Sequence, residues 1–557
     1  MALATHTEHI ELTIRGMTCD DCARHVAAAL QGVPGVEAVE VPGWQSGRAA
    51  VVARPEVDNQ RLADAVARAG YHARVAARRP ASAASSPSEA GQYDFDLLVI
   101  GAGSAGFAAA IRGSELGARV GLVNHGTLGG TCVNVGCVPS KALIRAAEAW
   151  HCAGHHPFAG VITQAVQLDW DTLRRQKDAL VDELRQEKYA DVLAAYPGIT
   201  LVDGQARFRS AEVVEVAGKS YRARRYVVAT GASPRRLAVP GAADPDVLTS
   251  TSLMELPTLP RSLIVIGGRA VALELGQAMA RLGVQVTVLQ RSPRLIPDHE
   301  PELSSALADY LREEGLEVVV DVHVERIERQ GTGRAVHTRV GGEPRAFTAE
   351  QVLMAVGRQP NTADLGLEVA GVDTDPHGAI VVDDRMRTSA AHIYAAGDCT
   401  DRPEFVYVAA AGGAVAAENA LEGSGRVLDL AAMPAVIFTD PQVATVGLTE
   451  AAARAQGKQF NTSTLSLQYL ARARTSRDTR GLIKLVADSA TGRLLGAHVL
   501  AAEGSEVIQT AVLAIRFGLT VDDLTTTLFP YLTTVEGLKL AALAFTKDPA
   551  KLSCCAT

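Results

Sequence analysis

Six of the eight cysteines in this 557-residue chain stand in close pairs, Cys19/Cys22, Cys132/Cys137 and Cys554/Cys555. Paired thiols exchange disulfides or hold soft metal ions, because thiolate ligands select such metals. The most specific pair lies in Gly129–Lys141, GGTCVNVGCVPSK, where Cys137 comes just before a helix-like run from Ser140 to Trp150. A thiolate near a helix amino terminus is stabilised by the macrodipole, which lowers its pKa and makes it reactive at neutral pH. Zinc would need two more ligands, and His151, His155 and His156 are the candidates nearby in sequence. Gly16–Cys22, GMTCDDC, puts Cys19 and Cys22 at a loop–helix junction, where redox, zinc and soft-metal chemistry all fit a CxxC spacing. The chain ends KLSCCAT, with Cys554 and Cys555 on a tail of little packing signal. Adjacent cysteines there suit exchange of a soft, two-coordinate ion better than a structural crosslink. Cys152 and Cys399 have no neighbouring cysteine and read as structural.

Two glycine turns supply the second kind of chemistry. GAGSAG places Gly101, Gly103 and Gly106 directly after the apolar run FDLLVI and before FAAAIRGSELG. In that context G-x-G-x-x-G signals a dinucleotide pyrophosphate on a helix amino terminus. The acid expected at the end of the next strand is Asn124, which hydrogen-bonds a ribose hydroxyl more weakly than Glu. The second turn, GGRAVALE from Gly267 to Glu274, follows LIVI and carries Arg269 and Ala272 in place of two fingerprint glycines. Alanine is accepted at the last position, whereas a side chain at Arg269 is expected to crowd the pyrophosphate. The following strand ends in Gln290 and Arg291 with Arg294 nearby and no acid, so a 2′-phosphate, and hence NADPH, fits best. Ordinary solvated charges remain the alternative for both arginines.

These motifs need elements to carry them. Residues 9–14 alternate like a strand, Asp20 to Gln31 has helical spacing, and strands near Val36–Val41, Arg48–Ala53 and Tyr71–Val75 flank a helix from Asn59 to Ala69, giving βαββαβ. Ala77 to Gly91 is rich in Ala, Ser and Pro and reads as a flexible tether. The two strand–turn–helix units imply two parallel-sheet nucleotide domains. The last stretch, from about Leu428, mixes strands (Gly481–Val486, Leu494–Leu500) with a helix from Glu503 to Phe517 and reads as an α/β interface domain. With 54 basic against 62 acidic residues the chain offers no electrostatic case for nucleic acid or an anionic membrane. No apolar run is long enough for stable membrane insertion, and no export signal is read, so the expected location is a reducing cytoplasm.

From residue 93 onward these motifs resemble the pyridine nucleotide-disulfide oxidoreductases, the family of dihydrolipoamide dehydrogenase and glutathione reductase. Thr388–Asp398, TSAAHIYAAGD, resembles the stretch that holds the flavin ribityl chain in that family. The resemblance implies FAD as cofactor, with Cys137 against the flavin, Cys132 as the outer exchanging thiol, and Lys141 near flavin N5 paired with Glu274. It implies flavin contacts at Gly101, Gly103, Ser104, Ala105, Gly106, Gly130, Thr131, Lys141, Gly231 and Asp398. For NADPH it points to Gly267, Arg269, Arg291 and Arg294.

Disulfide-reducing relatives use a carboxy-terminal His-Glu pair as proton relay. The segment FPYLTTVEG has Tyr531 at the histidine position and Glu536 at the other. Tyrosine titrates near ~10 and is a poor base at neutral pH, a loss that a thiolate-bound metal ion tolerates. With the Cys554/Cys555 tail, this resembles the mercuric ion reductases, in which the tail of one subunit delivers Hg(II) to the partner's inner pair. Gly16–Cys22 resembles the heavy-metal-associated domain. The implied organisation is a ferredoxin-like metal-binding domain (1–76), a linker (77–92), an FAD domain (93–236 and 355–425), an NADPH domain (237–354) and a dimerisation domain (426–557) with the cysteine tail. The implied activity is reduction of Hg(II), delivered by small thiols, in a homodimer with shared active sites. A dihydrolipoamide- or glutathione-type disulfide reductase and a soft-metal carrier are the rival readings.

Overall fold

Along β1 (Glu8–Arg15) Ile10, Leu12 and Ile14 are buried while Glu11 and Thr13 face outward. This period of two turns one face of the strand to a core. In a computed structural model describing residues 7–80 and 92–551, the chain divides into two units, Met1–Tyr93 and Asp94–Thr557. The first continues through α1 (Asp20–Gln31), β2 (Val36–Glu40), β3 (Arg48–Ala53), α2 (Asn59–Arg68) and β4 (His72–Pro80). Its sheet runs β2-β3-β1-β4, and β1 pairs antiparallel with both neighbours. Val26 and Leu30 from α1 and Leu62 and Val66 from α2 close the core, giving the expected βαββαβ layer. The tether was expected from Ala77, but β4 runs on to Pro80. Arg78 is the reason: it ion-pairs with Glu8 at 2.6 Å and donates to the carbonyls of Val57 and Pro55.

The second unit is α/β. Its first sheet is parallel and built around β5 (Phe95–Ile100), followed by α3 (Ser104–Glu115), β6 (Val120–Asn124) and, later, β7 (Ile199–Asp203). The strands Ala223–Val228 and Ile393–Ala395 complete the other side, so the sheet joins segments far apart in the chain. The helix Val406–Glu422 lies against α3 so closely that a Cβ on Gly413 would stand 2.1 Å from the Ala105 carbonyl oxygen. A second parallel sheet has Ser262–Ile266 and Gln285–Leu289 at its centre, with Glu317–Val319 and Gln351–Met354 at its edges. The last sheet is antiparallel, with Leu494–Ala501 between Gln442–Gly447 and Leu482–Asp488, and is covered by the helix Gly504–Arg516.

The second nucleotide domain is tied to this last sheet by buried charge. Lys484 Nζ meets Glu300 at 3.0 Å, Glu302 at 2.8 Å and Glu450 at 2.7 Å, and both Lys484 and Glu300 side chains are 2% exposed. Arg281 and Arg480 converge in the same way on Glu314 and Asp440. Among the described residues no helix is long and apolar enough to cross a membrane.

Candidate active site

Cys132 lies in the one-turn helix α4 (Gly130–Asn134), and Cys137 is the first residue of α5 (Cys137–Gly154). Sequence reading began this helix at Ser140, after Pro139. The structure begins it three residues earlier, because a proline in a first turn lacks only an N–H that has no helical partner anyway. Gly136 caps α5 without a side-chain hydrogen bond, and Cys137 stands at the positive end of the helix dipole. The Cys132 thiol donates to that sulfur, and together with the nearby Lys141 ammonium it outweighs burial and holds the Cys137 thiol down at about 7. The same hydrogen bond, with burial, pushes the Cys132 thiol up. Of the two thiols, Cys137 is therefore the one that ionises as pH rises through neutrality.

Lys141 follows one turn later on α5. Its Nζ donates to Glu274 Oε2 at 2.7 Å, and the Glu274 side chain is 6% exposed. The other oxygen, Oε1, accepts from the Phe438 amide at 2.9 Å, and the Lys141 ammonium lies 4.8 Å from the Phe438 ring centre. Three domains thus fix one ammonium. Phe438 escaped sequence reading because it belongs to no motif; an aromatic just before the turn Thr439–Pro441 was the available signal.

The glycines and the carboxylate expected at the flavin gather at the carboxyl edge of the first sheet. Gly101 takes φ +114°, and a Cβ there would come within 2.3 Å of the Ala229 oxygen, so only glycine makes this turn. Gly103 caps α3 without a side-chain bond, leaving the first amides, with Ser104, Ala105 and Gly106 behind them, open to a pyrophosphate. Gly130 and Thr131 start α4, with the Gly130 backbone beside Gly103; Gly231 turns with φ +68°. Asp398 follows the strand Ile393–Ala395 and is pushed up by burial, with Arg358 Nε at 3.6 Å as its cation. Arg358 also reaches Thr131 Oγ1 at 3.5 Å, and sequence reading missed it. These uncapped amides, the Cβ-excluding turn and the buried carboxylate fit FAD.

The second turn keeps the strand–turn–helix form of a nucleotide site. Gly267 has φ +129°, but Arg269 caps the helix Ala270–Arg281 in extended backbone with its guanidinium ion-paired to Asp298. Arg294 donates to the carbonyls of Pro297 and His299, bracing its own loop, whereas Arg291 is exposed. Of the two arginines expected at a 2′-phosphate, Arg291 is the open one.

In the amino-terminal unit Cys19 caps α1, and its sulfur lies 3.0 Å from that of Cys22. Donation from Cys19, the Thr18 backbone and the Tyr71 hydroxyl brings the Cys22 thiol down to about 6. Tyr71, at the start of the last strand, was not singled out from sequence.

Tyr531 is 54% exposed, and Glu536 opens the helix Glu536–Leu543 with Oε2 buried and without a hydrogen bond among the described residues. Burial raises the Glu536 carboxyl. Cys554 and Cys555 lie outside the described residues. Cys399 is fully buried as expected, but Cys152 is exposed on α5, so it does not fill the core. His151 and His155 stack at 4.4 Å, and among the described residues no three His, Cys, Asp or Glu side chains form a metal-holding group.

Residues 95–413 match the pyridine nucleotide-disulphide oxidoreductase family, residues 433–542 its dimerisation domain, and residues 11–72 the heavy-metal-associated domain. A mercuric reductase of Acidithiobacillus ferrooxidans is 47% identical over 99% of this chain and 100% of its own. The chain belongs to the mercuric reductase family. Another member, from Streptomyces lividans, is 48% identical over 83% of this chain and 98% of its own length. Among solved structures, the HOCl-induced flavoprotein disulfide reductase RclA from Escherichia coli is similar, with TM-score 0.72, 31% identity, and coverage of 80% of this chain and 99% of that one. The family's flavin and nicotinamide cofactors are FAD and NADPH.

Proposed function

We propose that the chain reduces Hg(II) to Hg(0) with NADPH, in the balance Hg²⁺ + NADPH → Hg⁰ + NADP⁺ + H⁺, and so detoxifies mercury. FAD, when bound, supplies the two-electron link between nicotinamide and substrate. Two observations carry the reading: a dithiol whose Cys137 thiol is held down at about 7, and a phenol, Tyr531, at the sequence position where disulfide-reducing relatives carry an imidazole.

Cys137 offers the thiolate, Cys132 the second sulfur, and Lys141 keeps the negative charge at Cys137 while Glu274 and Phe438 hold Lys141 in place. A two-coordinate soft ion needs two thiolates and no proton relay. Hg(II) passes from Cys19 and Cys22 or from small thiols to the partner subunit's Cys554 and Cys555, and from there to Cys132 and Cys137 by ligand exchange. Each exchange needs an incoming thiolate, which the Cys22 thiol at about 6 supplies below neutral pH. The dimerisation domain supports a homodimer, and the proposed route has each site completed by the partner's tail. Free thiols and NADPH favour the cytoplasm as the working compartment.

The test is NADPH oxidation with Hg(II) in excess thiol, compared with lipoamide and glutathione disulfide as acceptors, with mercury vapour measured. Turnover with Hg(II) and release of Hg(0) is expected; oxidation with a disulfide but none with Hg(II) overturns the reading. Replacing Cys554→Ala with Cys555→Ala is expected to slow turnover by tenfold or more, about the effect of losing a positioned reactant, when bulky thiols carry the ion. Unchanged turnover removes the tail from the route.

A further inference from the structure

A dinucleotide fold places a carboxylate at the end of its second strand to accept from the ribose hydroxyls. In this chain that residue is Asn124, the last of β6, and its side chain is buried. Its Nδ2 donates to the Gly126 carbonyl at 2.9 Å and to Asp203 Oδ1 at 3.3 Å. Both partners only accept, so the amide nitrogen must face them and Oδ1 is left as an outward acceptor. Asp203 is the last residue of β7, stands in register beside Asn124 in the parallel pair, and is exposed. The Gly101 amide donates to the Val123 carbonyl at 3.0 Å, so the pyrophosphate turn adjoins the end of β6.

We infer that Asn124 and Asp203 together form a split acidic site for the adenosine ribose of FAD, β6 supplying a fixed neutral oxygen and β7 the charge. Charge-assisted hydrogen bonds are roughly twice as strong as neutral ones, so the carboxylate matters more than the amide. The pairing also accounts for the departure at residue 124. A glutamate there would set a second negative charge against Asp203, and adjacent like charges disfavour each other. An amide at 124 lets the neighbouring strand keep its carboxylate. The inference rests on the flavoprotein assignment and concerns only the adenosine end, away from the cysteines.

The test follows FAD release from the purified holoprotein, read as flavin fluorescence recovered on dilution. Asp203→Ala is expected to raise the FAD dissociation constant by about tenfold or more, the effect of losing one charged hydrogen bond, with the circular dichroism unchanged. Asn124→Glu alone also loosens FAD, and Asn124→Glu combined with Asp203→Ala restores retention to that of the natural pair. For FAD lacking the adenosine 2′-hydroxyl, Asp203→Ala makes a smaller difference than for FAD itself. Unchanged release from Asp203→Ala, or equal tightening by Asn124→Glu with and without Asp203, overturns the inference. Natural protein purified without flavin and unable to take it up overturns the flavoprotein assignment itself.

Discussion

Cys137 draws its reactivity from the neighbouring Cys132 thiol and from Lys141, one helical turn further along α5. With the pair reduced, alkylation of Cys137 is expected to rise with pH and reach half its maximum near 7, since the reactive species is the thiolate. Lys141→Met removes the ammonium and moves the midpoint up by about one pH unit. Iodoacetamide labelling followed by mass spectrometry reads both midpoints, and an unmoved midpoint would take Lys141 out of the account. What was legible at this scale were cysteines, glycines and the lysine, because each motif is local in the chain. Phe438, Arg358, Tyr71 and Asp203 were not legible. Each reaches its partner across a sheet or between domains, where sequence spacing carries no distance.

Elements were legible wherever periodicity was strong, as in β5, whose FDLLVI has all but Asp96 buried. Boundaries failed for two different reasons: a distant partner, Glu8, extends β4 through Arg78, and the first turn of α5 tolerates Pro139 locally. The joint between the second nucleotide domain and the last sheet was invisible in sequence, since Glu300 and Lys484 are far apart in the chain. Lys484→Met leaves Glu300 buried without its cation and is expected to cost about 3 kcal/mol of stability. Urea unfolding checks this, and a loss below 1 kcal/mol would mean the carboxylates find other partners. Acid weakens the same region. Burial holds His299 down at about 4, against 6.5 when free. As pH falls below 6.5 the unfolded chain binds a proton that the folded one refuses, so this contribution is complete above 6.5 and lost as pH falls through about 4.

The molecule as a whole is two folding units on one chain, and the amino-terminal one has a core of its own. The Streptomyces lividans relative, covering 83% of this chain, is nearly matched over its full length. A fragment of residues 94–557 is therefore expected to bind FAD and to turn over Hg(II) at saturating concentration within about twofold of the full chain, the missing unit adding capture at low supply through a raised local concentration. Steady-state assays across Hg(II) concentration decide it: a collapsed maximal rate would make the first unit part of the catalytic machinery. The matched regions follow one another as metal-associated domain, nucleotide oxidoreductase and dimerisation domain, the order in which the CxxC, the glycine turns and the last α/β stretch occur in the sequence. The interleaving of the flavin domain was expected only through the family resemblance, because nothing in a three-residue strand such as Ile393–Ala395 says which sheet it joins.

That short strand also sets an order of events on the ribosome. Ala223–Val228 is synthesised early and waits with one edge bare until Ile393–Ala395 arrives to pair with it. At about 5–20 residues per second, the intervening stretch takes on the order of ten to thirty seconds to translate. Throughout that interval the nascent flavin domain exposes an unpaired strand and lacks the helix Val406–Glu422 that must settle onto α3. The flavin domain therefore completes only after the nucleotide domain inserted within it has been made, and chaperone demand during translation falls on the older half of the chain.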